Sequence, residues 1–185
     1  MQKNNFLLLL ICSLVLISCD FQCSIGDTKK PSAGGKNVTS TIKTENGAVI
    51  SNGINITGKG IKLKSATLKL ENGERVSDDN MVGLNEKIIL TIELDSTWTI
   101  ENEKTFIGAS EKISTSSGEV VLSAADLFSD YDESGVSPTD AKYIRLNAVI
   151  TKSDVKVDYY LVTFRVWDKK GTAEINGNYK FYLKK

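Results

Sequence analysis

The 185-residue sequence predicts an all-β protein, an antiparallel β-sandwich with one short helix. Three observations predict it. From residue 47 onward, short runs alternate apolar and polar residues, as strands with one buried and one wetter face do. Turn-forming clusters punctuate those runs at short intervals. Helical spacing shows in one brief stretch, residues 123–129. Sheets with one apolar face each bury them by packing face to face.

Residues 1–18 stand apart from that pattern. Lys3 precedes an uncharged apolar run over residues 6–17, and Ser18-Cys19 follows. Basic start, apolar centre and small-residue cleavage site are the three parts of a secretory signal. The run is too short to remain as an anchor, because a spanning helix takes about 20 apolar residues. Residues 19–46 are rich in Ser, Thr, Gly, Lys and Asn, with Pro31 and Gly34-Gly35, which is the composition of a flexible tether. A tether of about 25 residues reaches roughly 25–30 Å. The folded domain is predicted over residues 47–185.

Within it, the apolar phase slips between Ile61/Leu63 and Ala66/Leu68/Leu70, which predicts a bulge near Ser65-Ala66. Asn72-Gly73 then predicts a two-residue type I′ hairpin, since both residues adopt positive φ cheaply. Ile88, Leu90, Ile92 and Leu94 form one buried row. Ser123-Ala124-Ala125-Asp126 offers an N-cap serine and an acid three places on, so one or two helical turns are predicted there. Ile144, Leu146, Ala148 and Ile150 form a second row, and Thr151-Lys152-Ser153-Asp154 a turn. Tyr160, Val162, Phe164 and Val166 form a third row. Asp168-Lys169-Lys170-Gly171 turns the chain into the last row, Ile175, Tyr179, Phe181 and Leu183.

Bulk chemistry excludes several functions. Basic and acidic residues balance at 23 each, which argues against a nucleic-acid partner. There is no histidine, so the usual general base and metal ligand are missing. No G-x-S-x-G motif occurs, and nothing marks a catalytic carboxylate pair. The chain is therefore expected to act without catalysis and without a cofactor. Cys23 is left without an intramolecular partner once Cys12 leaves with the signal and Cys19 is modified.

One loop suggests an alternative. Asp130, Asp132 and Ser134, followed by Gly135, echo the start of an oxygen-lined Ca²⁺ loop, with Asp140 near its end. The twelfth position, where a bidentate Glu belongs, is Ala141. Residues 126–140 are read either as a calcium-ordered loop or as a solvated connection. Tyr159, Trp167 and Tyr182 fall opposite the apolar rows, and they are read either as an exposed aromatic patch or as ordinary cross-strand packing.

Leu16-Ile17-Ser18-Cys19 after the apolar run resembles the lipobox of bacterial lipoproteins. The resemblance implies cleavage before Cys19 and lipid, palmitate included, on that residue. It implies a cell-envelope location with outer-membrane attachment, on the periplasmic or the surface face. Two acyl chains give stable anchoring, at about 0.8 kcal/mol per buried CH₂. Residues 82–90 and the 159–183 hairpin resemble strands of an immunoglobulin-like domain, and the whole resembles small immunoglobulin-like β-sandwich lipoproteins of Bacteroidota. Asp95-Ser96-Thr97 is similar to the O-glycosylation sequon of exported proteins in that group, which implies a glycan on Ser96. The sequence as a whole points to a lipid-anchored binding or adhesion module whose partner is an envelope protein, a host surface or a glycan. A calcium-dependent module and a structural envelope lipoprotein with no ligand are the alternatives.

Overall fold

The computed structural model describes Ser24–Ile25, Lys43–Glu45, residues 47–152 and residues 157–184. The chain is all-β. In chain order its strands are β1 (Ser24–Ile25), β2 (Lys43–Glu45), β3 (Ala48–Ile50), β4 (Asn55–Lys59), β5 (Leu63–Leu70), β6 (Met81–Val82), β7 (Ile88–Leu94), β8 (Ile107–Thr115), β9 (Val120–Ala124), β10 (Tyr143–Ala148), β11 (Tyr160–Asp168) and β12 (Glu174–Leu183). The first sheet runs β1-β10-β7-β5-β3-β2 and the second β4-β12-β11-β8-β9, with β6 paired to β12. Pairing is antiparallel except for β3 with β5 and β6 with β12. β1 and β2, from the predicted tether, pair through their backbones with β10 and β3.

The alternating rows explain the packing. Leu90 and Ile92 of β7, Leu68 of β5 and Leu146 of β10 point inward from the first sheet. Ile113, Val162, Val166, Ile175, Tyr179 and Phe181 meet them from the second, in one continuous apolar core. Burying a side chain of this size contributes about 1.5–3 kcal/mol. Trp98 closes one end, buried, with its indole N–H donating to the Ala141 carbonyl at 2.9 Å.

Asn52 and Asn80 clasp the two sheets together. Both adopt positive φ, which Asn tolerates better than most residues. The Asn52 Oδ1 accepts from the Leu68 N–H of β5 at 3.2 Å, and its Nδ2 donates to Asn80 Oδ1 at 3.0 Å. The Asn80 Nδ2 donates to the carbonyls of Asn52 and of Lys180 on β12, both at 2.8 Å.

Three local expectations change. The bulge lies at Leu63/Ser65, just before the predicted place. The turn at Asn72-Gly73 is not type I′. Gly73 has positive φ and Asn72 does not; Gly73 N–H donates to the Leu70 carbonyl and Leu70 N–H to that of Glu74. This is a three-residue loop closed by an αL glycine, the next commonest hairpin. The predicted helix over 123–129 is strand β9 through Ala124, and its one helical turn is 3₁₀, at Ser129–Tyr131. The cause is Asp126, whose Oδ1 accepts from Ala109 N–H at 3.1 Å and from Phe128 N–H at 3.0 Å. Leu127 N–H donates to the Ala109 carbonyl. Those bonds tie the segment to β8 and take the place of a helical ladder. The turn predicted at residues 151–154 lies partly outside the described residues.

Candidate functional site

The outer face of the second sheet gathers most of the chemistry that the core leaves over. β11 sends Tyr160, Val162, Phe164 and Val166 inward, so Leu161, Thr163, Arg165 and Trp167 face out. In register beside them stand Gly108, Ser110, Lys112 and Ser114 on β8 and Glu174, Asn176, Asn178 and Lys180 on β12. β4 adds Asn55, Thr57 and Lys59 opposite Asn178, Asn176 and Glu174, and β9 adds Ser123 opposite Lys112.

Aromatic rings mark both ends of β11. At one end Trp167 lies over Gly108, where a Cβ would collide with the indole, so the glycine seats the ring. The Arg165 guanidinium stacks 5.3 Å from the Trp167 ring and bonds Glu174 Oε2 at 2.9 Å. At the other end Tyr159 meets Tyr182 edge-on at 6.3 Å, with the Lys180 ammonium 4.0 Å from the Tyr159 ring. Between them a shallow recess of about 310 Å³ is lined by Ser110, Lys112, Ser123, Thr163 and Arg165, and also by Glu111 and Phe164, which turn toward the core. The three rings are part-exposed, and each also packs on a cross-strand neighbour, Tyr159 with Tyr182 and Trp167 with Gly108.

In the acidic loop most of the candidate side chains have partners within the protein. Lys169 pairs with Asp126 Oδ2 at 2.6 Å and also with Asp132. Burial is the largest single influence and opposes the charge on each partner, but their mutual bond together with Asp132 for Lys169, and with the Phe128 and Ala109 N–H groups for Asp126, outweighs it: Lys169 is raised and Asp126 lowered from their ordinary values. Ser134 Oγ donates to the Gly135 carbonyl at 3.3 Å. Asp140 Oδ2 accepts from Ser137 Oγ at 2.8 Å, within its own turn. Asp130 sits exposed in the 3₁₀ turn. Among the described residues no three Asp, Glu, Cys or His side chains are gathered as a metal site. Ser96 is half-exposed after β7, and its Oγ accepts from Lys62 N–H at 2.7 Å, clasping the start of β5. Cys19 and Cys23 lie outside the described residues.

Sequence reading missed Glu111. It points inward from β8 opposite Phe164, 2% exposed, and neither carboxyl oxygen has a partner among the described residues. Desolvation pushes its carboxyl up to about 8. The Tyr179 hydroxyl, also buried and unpartnered, is raised by burial and then by Glu111. The signal was present: Ile107, Ala109 and Ile113 share the phase of Glu111.

No protein-family model matches the chain, and no curated protein matches it. A crystal structure of the C-terminal domain of wzt is similar at a TM-score of 0.46 and 12% identity, covering 72% of this chain and 79% of that one. Among the described residues, no helix is long and apolar enough to cross a membrane.

Proposed function

We propose that this chain is a lipid-anchored lipoprotein of the cell envelope whose sandwich binds a partner without catalysis. The observation that carries the reading is Leu16-Ile17-Ser18-Cys19 placed directly after an uncharged apolar run. Acyl chains on Cys19 hold the protein to the membrane, in the outer membrane. Ser24 of β1 pairs with β10 five positions after Cys19, so a short link joins the lipidated residue to the sheet. Binding falls to the outer face of the second sheet, where Trp167, Tyr159 and Tyr182 are part-exposed amid amides, hydroxyls and cations. Part-exposed aromatics are the usual anchors of recognition surfaces.

The test is metabolic labelling in the native cell. Labelled palmitate should enter the wild-type protein and be absent from Cys19→Ser. An unlabelled wild type, or equal label in the variant, would overturn the anchored reading. Protease added to intact cells then decides between surface and periplasm.

A further inference from the structure

We propose that the outer face of the second sheet binds a carboxylated polysaccharide, laid along β11 from Trp167 to Tyr159. This rests on the reading of the sandwich as a binding module and names the ligand class of its face.

Charge comes first. The chain as a whole is neutral, with 23 residues of each sign. Its outer face on β4, β12, β11 and β8 carries Lys59, Lys180, Arg165 and Lys112, against Glu174 as its acid. Lys59 and Lys112 are exposed and have no ion-pair partner among the described residues. A ligand bearing regularly spaced negative charge complements such a surface.

Shape comes second. The two aromatic stations stand eight residues apart along one strand, about 26 Å at roughly 3.3 Å per residue. A single small ligand does not span that distance; an extended polymer does. The recess between them, about 310 Å³, is at the lower end of the roughly 300–1,000 Å³ of small-ligand sites and suits one sugar unit of such a chain.

Chemistry comes third. A sugar ring offers an apolar C–H face and a rim of hydroxyls. Trp167 and Tyr159, part-exposed beside the Arg165 and Lys180 cations that stack on them, offer apolar surface for the first. Thr57, Asn176, Asn178, Thr163, Ser110 and Ser123 offer donors and acceptors for the second. Arg165, steadied by Glu174 and the Trp167 ring, and Lys112 both line the recess, where a sugar carboxylate would sit, while Glu111, also in its lining, is turned into the core. An anionic lipid surface calls for a dense basic cluster, whereas these cations are spread over separate strands.

The full-length protein in non-ionic detergent is run in native gels containing polygalacturonate or alginate, with dextran as the uncharged control. Flotation with phosphatidylglycerol vesicles is run in parallel. Retardation by an acidic polymer and not by dextran is expected, weakening as salt is raised. Lys112→Glu, at an exposed position, should weaken retardation at least tenfold with an unchanged melting temperature. Trp167→Ala should do the same, read only if its circular dichroism matches wild type. Retardation by neither acidic polymer, equal retardation by dextran, association with vesicles alone, or an indifferent Lys112→Glu would each overturn the assignment. A protein that takes palmitate at Cys19 but ignores both acidic polymers loses the ligand and keeps the anchored reading. One that binds them but takes no palmitate does the reverse.

Discussion

Glu111 is where a single residue sets a property of the whole domain. Its carboxyl sits at about 8 when folded, against an ordinary 4.5, because the core around Phe164 and Tyr179 does not solvate its charge. Between those values the unfolded chain gives up a proton that the folded chain keeps. Stability is therefore full below the ordinary value, falls as pH rises through the interval, and levels off above the folded value. Each unit between the two values corresponds to about 1.4 kcal/mol, so the loss is on the order of a few kcal/mol. No histidine titrates in the same interval. Thermal melts from pH 5 to pH 8.5 should show a falling wild-type midpoint and a flatter Glu111→Gln. Parallel slopes would mean that the carboxyl is solvated. The inward position of Glu111 was legible from strand phase; its lack of a partner was not, because that depends on what β11 and β12 place around it.

At the scale of elements, the clasp of Asn52 and Asn80 and the tie between Asp126 and Lys169 hold segments that hydrophobic patterning does not. Asn80→Ala removes donors to the Asn52 and Lys180 carbonyls and strands buried polar groups, at about 1–3 kcal/mol each. Urea unfolding should show a loss in that range; a loss below about 0.5 kcal/mol, the scale of ordinary surface changes, would show that water replaces the clasp. In the 126–140 loop, Lys169 already pairs with both Asp126 and Asp132, and Asp140 accepts from Ser137. Millimolar calcium should leave the melting temperature unchanged, whereas a ligand of the native state raises it by mass action. A rise reversed by chelator would support the calcium reading.

Strand rows were readable because a period of two maps directly onto burial: Ile88 to Leu94 alternates buried and half-buried along β7, as predicted. The segment around Asp126 misled for a physical reason. An acid near a serine serves equally as a helix-capping pair or as an acceptor for a neighbouring strand, and the choice rests on β8, remote in sequence. The turn at Asn72-Gly73 likewise depends on where β5 stops pairing, which puts Gly73 and not Asn72 in the left-handed region.

For the whole molecule, the sandwich has one apolar core, and in the proposed reading the leader gives it an address. Strand phase put Tyr159, Trp167 and Tyr182 opposite the buried rows; how far the rings are covered depended on the neighbouring Gly108, Arg165 and Lys180. The charge balance of the outer face emerged only once β4, β8 and β12 were set beside β11, because Lys59, Lys112 and Lys180 are distant in sequence. The anchored reading and the binding reading meet at Cys19: without lipid there, the face has no membrane to work from. Mass spectrometry of the N-terminal peptide of the mature protein, taken from the membrane fraction, tests this most directly. The account predicts a chain beginning at Cys19 and carrying a thioether-linked diacylglycerol. A peptide beginning at Met1, or one that contains an unmodified Cys19, would contradict it.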